Sequence, residues 1–351
     1  MKLQSIFIWL GLALVLATGP AQAGEPLPLV AVVTTGGTIA EKADPRTGGA
    51  VPAVSGEDLV ASVPALAKVA RLRVTTVCNM DSSQMCPEIW VKLSRAVDHE
   101  LADPEVAGAV VTHGTDTMAE GAFFLDLTVK SPKPVVFVGA MRHAGDLSPD
   151  GPANLLNAVI QAASPQARGW GVTVTLNQYV NAAWDVDKTQ TTNVQTFNSG
   201  ERGYLGYITG GRVIRFRGRG QRLVLPLPEK LPKVVLLSTF AGDDGALVRY
   251  AVDRGAQGLV VEGGGAGNVN AQVFQAIAYA LAKGVAVVIT SRVQGGAVEP
   301  IYGDQGGGLT LQKAGCVLGG SLRGPKARLL LMLGLAQGAD TATLTGYFDR
   351  P

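Results

Sequence analysis

Seven short apolar runs, rich in β-branched residues, set the frame of this chain. They are Leu29–Thr34, Val106–Thr112, Pro134–Val138, Gly171–Leu176, Lys233–Ser238, Gly258–Val261 and Val285–Thr290. Each is close to continuous in its hydrophobicity rather than alternating. A strand of that kind is buried on both faces, as in a parallel sheet covered by helices. The intervening segments carry the helices. Ser55 stands before Glu57 and Asp58 as an N-cap, with Pro64 as the limit. Pro87 opens a segment with Ile89, Leu93 and Val97 on one face. An apolar pattern runs over Met118–Val129, and Pro152 opens another helix over Ala153–Ala163. Val273, Phe274, Ile277 and Leu281 make a stripe in Gln272–Lys283, with Gly284 as a C-cap, and Pro325 opens a last helix over Lys326–Leu335.

Strand and helix therefore alternate, and the fold class is α/β. At 351 residues the chain is long enough for two domains. Residues Arg217–Pro232 break the pattern with glycine, proline and charge, and read as a linker. The expected organisation is a signal segment over 1–23, a larger N-terminal domain over 24–216, the linker over 217–232, and a smaller C-terminal domain over 233–351. Both domains are expected to hold mainly parallel sheets.

The signal segment has Lys2 as its charged start, a mostly apolar stretch from Ile6 to Ala17, and Ala21-Gln22-Ala23 as a cleavage site. The apolar stretch is short for a membrane span of about 20 residues. Cleavage removes one lysine and no acid, taking the formal charge from +2 to +1. A soluble, secreted, periplasmic protein is expected, with no membrane segment in its mature form. So small a charge argues against nucleic acid as a partner. The basic run Arg212–Arg219 reads as a solvated strand or loop. Three cysteines in an exported protein permit one disulfide, with Cys78 and Cys86 as candidates if strand-end geometry allows. The three histidines, His99, His113 and His143, have no metal-ligand spacing. No phosphate loop or dinucleotide fingerprint is present.

Two of the apolar runs end in small-residue turns that present threonine. Thr35-Gly36-Gly37-Thr38 follows the first, and Thr112-His113-Gly114-Thr115-Asp116 follows the second. In an open α/β sheet, ligands sit at the carboxyl ends of the strands. Gly36 and Gly37 allow a sharp turn with amide donors near the Thr38 hydroxyl, which suits acyl transfer. Thr115 and Asp116 form the second turn. A lysine that has lost solvation can act as a base toward a threonine, and Lys188 is a candidate. Ser82 and Ser83, in Asp81-Ser82-Ser83, could take a substrate carboxylate at a helix start. For each of these residues the plain alternative is helix capping or a solvated loop.

Taken together, the segments resemble the bacterial-type L-asparaginases, the family of asparaginases and glutaminase-asparaginases. The resemblance runs from about Leu29 to about Leu335. It includes both threonine turns, Asp81-Ser82-Ser83, Pro134–Arg142, Asp150-Gly151-Pro152, Asp187-Lys188, Gly267-Asn268-Val269-Asn270, Ser291-Arg292 and Lys326-Ala327-Arg328. It implies an amidohydrolase that converts L-asparagine, with L-glutamine as a second candidate substrate, to the acid and ammonia through a threonine acyl-enzyme. Thr38 matches the nucleophile. Thr115, Asp116 and Lys188 match the second catalytic group. Ser82 matches the α-carboxylate site, Asp116 also holds the α-amino group, and Asn270 matches a residue lent to a neighbouring subunit. The resemblance further implies a homotetramer with shared sites and no metal or organic cofactor.

Three departures stand out. The family's loop tyrosine is missing, since residues 41–52 contain no aromatic side chain. Ser83 stands where many exported members have glutamine. The acid lent by a neighbour falls within Glu299–Gly308, where Glu299 and Asp304 both qualify. A glycine-rich loop at 41–52 is expected to close over the substrate. Two other readings follow from the departures: a non-catalytic acidic amino-acid binding protein on the same fold, and an amidase for another small amide.

Overall fold

The computed structural model describes residues 26–43, 46, 49–52 and 54–349. The signal segment expected at 1–23 lies outside the described residues.

The larger sheet is built first. β1 (Leu29–Gly36) is buried along its whole length. β2 (Glu41–Ala43) and β3 (Ala50–Pro52) form a separate antiparallel pair beside it. After α1 (Gly56–Ala61) the chain enters β4 (Arg71–Met80), then α2 (Pro87–Ala102), β5 (Val106–Thr112), α3 (Met118–Thr128) and β6 (Val135–Val138). Next come α4 (Gly151–Ala163), β7 (Val172–Leu176) and β8 (Tyr179–Ala182). A two-stranded ribbon, β9 (Asp187–Lys188) with β10 (Phe197–Asn198), stands apart from the main sheet. β11 (Gly206–Thr209) and β12 (Arg212–Arg215) complete it. The order across the sheet is β12-β11-β8-β7-β6-β5-β1-β4. The pairs from β4 to β7 are parallel, and those from β7 to β12 are antiparallel.

β4 and β5 lie on opposite sides of β1, so the chain reverses its winding direction there. Such a switch point opens a crevice at the carboxyl ends of the strands. Alternate residues of β1 feed two cores. Leu29, Ala31 and Val33 pack with Trp90, Leu93 and Phe123 of α2 and α3, and Val30 packs with Leu59 of α1 and Leu155 of α4.

The C-terminal domain holds β13 (Val234–Ser238), β14 (Gly258–Gly263), β15 (Ala286–Ser291) and β16 (Val317–Leu318), paired in that order and all parallel. α5 (Ala246–Asp253), α6 (Ala271–Ala282) and α7 (Gly308–Lys313) share one core with the sheet. α8 (Gly324–Ala336) and α9 (Thr341–Phe348) cover the other face. α8 is apolar on nearly all sides because it lies between its own sheet and α3, so one core continues through both domains.

Residues 217–232 form neither helix nor strand, yet they are tied down. Arg219 and Arg222 both ion-pair with Asp126 of α3, and the Leu225 N–H donates to the Leu127 carbonyl at 2.7 Å. The basic run therefore divides. Arg212 and Arg215 face solvent on the edge strand β12, whereas Arg219 turns inward, 9% exposed. All three cysteines are free. Cys78 donates its thiol to the Thr35 carbonyl, and Cys316 is buried. No helix among the described residues is long and apolar enough to cross a membrane.

Candidate active site

Three loops meet at the carboxyl ends of β1, β4 and β5. The first begins at Gly36 and Gly37, whose φ angles of +101° and +85° favour glycine strongly. The space around Gly37 has the same requirement. A Cβ there would lie 2.3 Å from the Gly114 Cα, so the two threonine turns pack backbone against backbone. A Cβ on Gly114 would in turn sit 2.5 Å from the Ser82 hydroxyl oxygen. The Thr35 hydroxyl donates to the Thr112 carbonyl at 2.8 Å, and the Gly37 N–H to the Met80 carbonyl at 3.1 Å.

Thr38 starts a single 3-10 turn, Thr38–Ala40. Its N-cap position is Gly37, so the Thr38 hydroxyl is not spent on capping. Glu41, at the end of that turn, is only 4% exposed. Burial raises the Glu41 pKa above the usual carboxylate value, against the lowering effect of the nearby Thr38 hydroxyl. Nearby Asp81 and Asp116 raise it further, and His143 lowers it.

The second turn is stiffened from beneath by His113. Trp90 donates its indole N–H to Nε2 at 3.3 Å, which leaves Nδ1–H to donate to the Gly114 carbonyl at 2.8 Å. Burial pushes the imidazole pKa down to about 4, so the ring is neutral at neutral pH. Above it, the Lys188 Nζ donates to the Thr115 hydroxyl at 2.9 Å and to Asp116 Oδ1 at 2.7 Å. The Asp116 N–H donates to the Ser82 hydroxyl at 3.2 Å, and the Thr117 hydroxyl to the Ser82 carbonyl at 2.9 Å. Ser82 is buried, whereas Ser83 is exposed and its N–H is taken up by Asp81, the cap of that short turn.

Thr38, Ser82, Thr115, Asp116 and Lys188 thus share one region of the molecule. Asn270 is not brought to it. That side chain caps α6, accepting from the Val273 N–H at 2.9 Å and donating to the Asp243 carbonyl at 2.7 Å. Glu299 and Asp304 are exposed in the C-terminal domain. Asp116 and Lys188 open onto a cleft of about 740 Å³ between the domains, walled also by Glu120, Glu262, Arg323 and Lys326. Thr38 and Glu41 are not among its walls.

Two contributions escape the sequence reading. Lys326, 2% exposed on α8, donates to the carbonyls of Trp184, at 3.0 Å, and Val186. The C-terminal domain thereby holds the ribbon that carries Lys188. Glu41 is the other. Among the described residues, no group of three or more His, Cys, Asp or Glu side chains could hold a metal ion.

Comparison with known proteins fits this arrangement. The N-terminal asparaginase family model matches residues 29–219, and the glutaminase/asparaginase C-terminal domain model matches residues 233–348. The chain belongs to the asparaginase family. It is 38% identical to the probable periplasmic L-asparaginase of Haemophilus influenzae, over 92% of this chain and 93% of the relative. It is 38% identical to L-asparaginase 2 of Escherichia coli, over 95% and 97% respectively. The crystal structure of a probable cytoplasmic L-asparaginase from Campylobacter jejuni superposes with a TM-score of 0.84 at 36% identity, covering 92% of this chain and all of the other. The chain has a large N-terminal sheet and a smaller parallel C-terminal one.

Proposed function

We propose that the protein is an amidohydrolase that converts L-asparagine to L-aspartate and ammonia. The observation that carries the reading is the meeting of three loops, which brings the Thr38 turn against the turn of the Lys188–Thr115–Asp116 cluster at the switch point of the sheet. In this reading Thr38 Oγ attacks the side-chain amide carbon. Amide donors at the Thr38 and Thr115 turns stabilise the oxyanion. Ammonia leaves, and water cleaves the acyl-threonine ester. The covalent route replaces one difficult step by two easier ones. Lys188, with Asp116, polarises Thr115 or the attacking water. Ser82 receives the α-carboxylate, with Ser83 beside it, and Asp116 receives the α-amino group.

The further parts of the reading concern assembly and place. Asn270 acts in a neighbouring subunit's site, four chains assemble, and the 1–23 segment directs export to the periplasm. One relative is named periplasmic and the structural neighbour cytoplasmic, so the leader of this chain supports the first placement. L-Glutamine, one methylene longer, is a second substrate in this reading.

The test is ammonia release by the purified mature protein from L-asparagine, L-glutamine, D-asparagine and a simple alkyl amide. Turnover of L-asparagine is expected, with less from L-glutamine. Turnover of the alkyl amide alone would replace the assignment with a different amidase. No turnover, with L-aspartate still raising the melting temperature, would replace it with a binding protein.

A further inference from the structure

A fourth loop lies against both threonine turns. It leaves the carboxyl end of β6 as Gly139-Ala140-Met141-Arg142. The His113 N–H, in the turn after β5, donates to the Val138 carbonyl at 2.9 Å. A Cβ on Gly139 would lie 2.6 Å from the His113 carbonyl oxygen and 3.4 Å from the Thr115 methyl carbon. The loop backbone therefore rests directly on the turn that carries Thr115. A Cβ on Gly151, the first residue of α4, would meet the Ile39 side chain at 3.1 Å and the Ala140 side chain at 3.4 Å. Ile39 follows Thr38 in its 3-10 turn, so the same corner also backs the Thr38 turn.

Two side chains at the start of α4 hold this loop. The Asp150 carboxylate accepts the Met141 N–H on both oxygens, at 3.1 Å each, and the Arg142 N–H at 2.9 Å. An aspartate before a helix ordinarily caps it. Asp150 occupies the N-cap position of α4 but makes no cap with its side chain, which is given to the loop instead. Asn154, one helical turn on and 2% exposed, donates to Asp150 at 2.9 Å and to the Gly139 carbonyl at 3.0 Å. Its oxygen accepts the Asn177 N–H, at 2.9 Å, from the turn between β7 and β8. Both donors and the oxygen of this buried amide are engaged, so a single orientation satisfies it.

We infer that Asp150 and Asn154 are positioning residues for the reaction: they fix the loop after β6 as the common wall of the two threonine turns, and so hold Thr38 in place relative to Thr115. This role rests on Thr38 being the nucleophile. The pair acts through the loop and not on the reacting atoms. A misplacement of about 1 Å in such a site costs about 100-fold in rate. Ser82 is held separately, by the Asp116 N–H and the Thr117 hydroxyl. The effect of loosening the loop therefore falls on kcat rather than on KM.

The experiment compares Asn154→Asp, Asp150→Asn and the exchange variant that carries both. Asn154→Asp keeps the size of the side chain but sets a second carboxylate against Asp150 and against the Gly139 carbonyl. Asp150→Asn is milder, because its oxygen still accepts from the loop while its NH2 meets that of Asn154. The exchange variant restores a donor at 150 facing an acceptor at 154. For Asn154→Asp, kcat on L-asparagine should fall by about 10-fold to 100-fold with KM within about threefold of wild type. Asp150→Asn should fall less, and the exchange variant should regain at least about threefold over Asn154→Asp. L-Aspartate should raise the melting temperature of each, which shows a folded pocket. Should Asn154→Asp fail to fold, the kcat and KM of Asp150→Asn decide. Lower melting temperatures with kcat within about threefold of wild type would show that the pair holds only the fold, and would overturn the role while leaving the amidohydrolase reading standing. A raised KM with unchanged kcat would overturn it as well. An inert wild-type protein would instead bring down both.

Discussion

Lys188 is bonded to two partners, so its replacement separates chemistry from stability. Its side chain is 20% exposed and that of Asp116 is 61% exposed. Ion pairs so open to water contribute little, at most about 1 kcal/mol. Lys188→Met should therefore leave the melting temperature nearly unchanged. It should lower kcat for L-asparagine by about 100-fold to 10,000-fold, as expected for a lost proton-transfer group. A variant with near wild-type turnover would remove Lys188 from the mechanism. His113 gives the opposite case, a residue whose effect is on stability. Its folded pKa, about 4, lies below the 6.5 of an exposed histidine. As pH falls through 6.5 the unfolded chain binds the proton first, so stability present above that value is lost on the way to about pH 4. The loss attributable to this ring is about 3 kcal/mol. Urea melts between pH 7 and pH 4.5 should show a smaller decline in His113→Gln than in wild type. Equal declines would contradict a buried, neutral ring. Both residues also mark the limits of sequence reading. Thr38 and Thr115 stand out because each follows a strand that is buried throughout or at all but one position. Glu41 reads as a solvated loop acid beside Lys42 and Asp44, and only the packing of the turns buries it.

Among the secondary-structure elements, the short ribbon of β9 and β10 has most to do with function and is least visible in sequence. It is only two residues long on each side, and its alignment with the threonine turn depends on contacts from a distant helix. Lys326 supplies them. Replacing it with methionine keeps the bulk but leaves the Trp184 and Val186 carbonyls without their donor, at about 1–3 kcal/mol for each one left unsatisfied. Lys326→Met should lower the melting temperature and, by loosening β9, also lower kcat in the ammonia assay. An unchanged melting temperature would contradict the contact. Of the strands that were legible, β1, β5, β6, β7, β14 and β15 are largely buried interior strands, where burial demands unbroken hydrophobicity, whereas β13 is a half-buried edge strand that shows through its apolar run Val234–Leu237. β4 carries the Ser82 loop yet is missed by that criterion. As an edge strand it mixes exposed and half-buried positions, and its Arg73 pairs with Glu100 and Asp103 of the α2 end. The antiparallel strands β8, β11 and β12 lie toward the other edge and are short and mixed for the same reason. Thr38, Thr115 and Asp116 escape the capping alternative, whereas Asp81 and Asn270 do cap their helices.

For the whole molecule, the shared core of α3 and α8 couples the two domains across the cleft that Asp116 and Lys188 open onto. The C-terminal domain also leaves Phe240, Leu247, Tyr250, Ile301 and Tyr302 more than half exposed. Where such groups form one contiguous patch they commonly mark an association face. Light scattering of the mature protein should give the mass of four chains, and Leu247→Glu with Tyr250→Glu on α5 should reduce it. A wild-type monomer would contradict the proposed assembly. The central claim remains that Thr38 performs the attack, and the most direct test is turnover of L-asparagine by Thr38→Ala beside Thr38→Ser. Alanine should abolish ammonia release while L-aspartate still raises the melting temperature, and serine, which keeps a hydroxyl, should retain part of the rate. A Thr38→Ala protein that releases ammonia within about tenfold of wild type would contradict the account and move the nucleophile elsewhere.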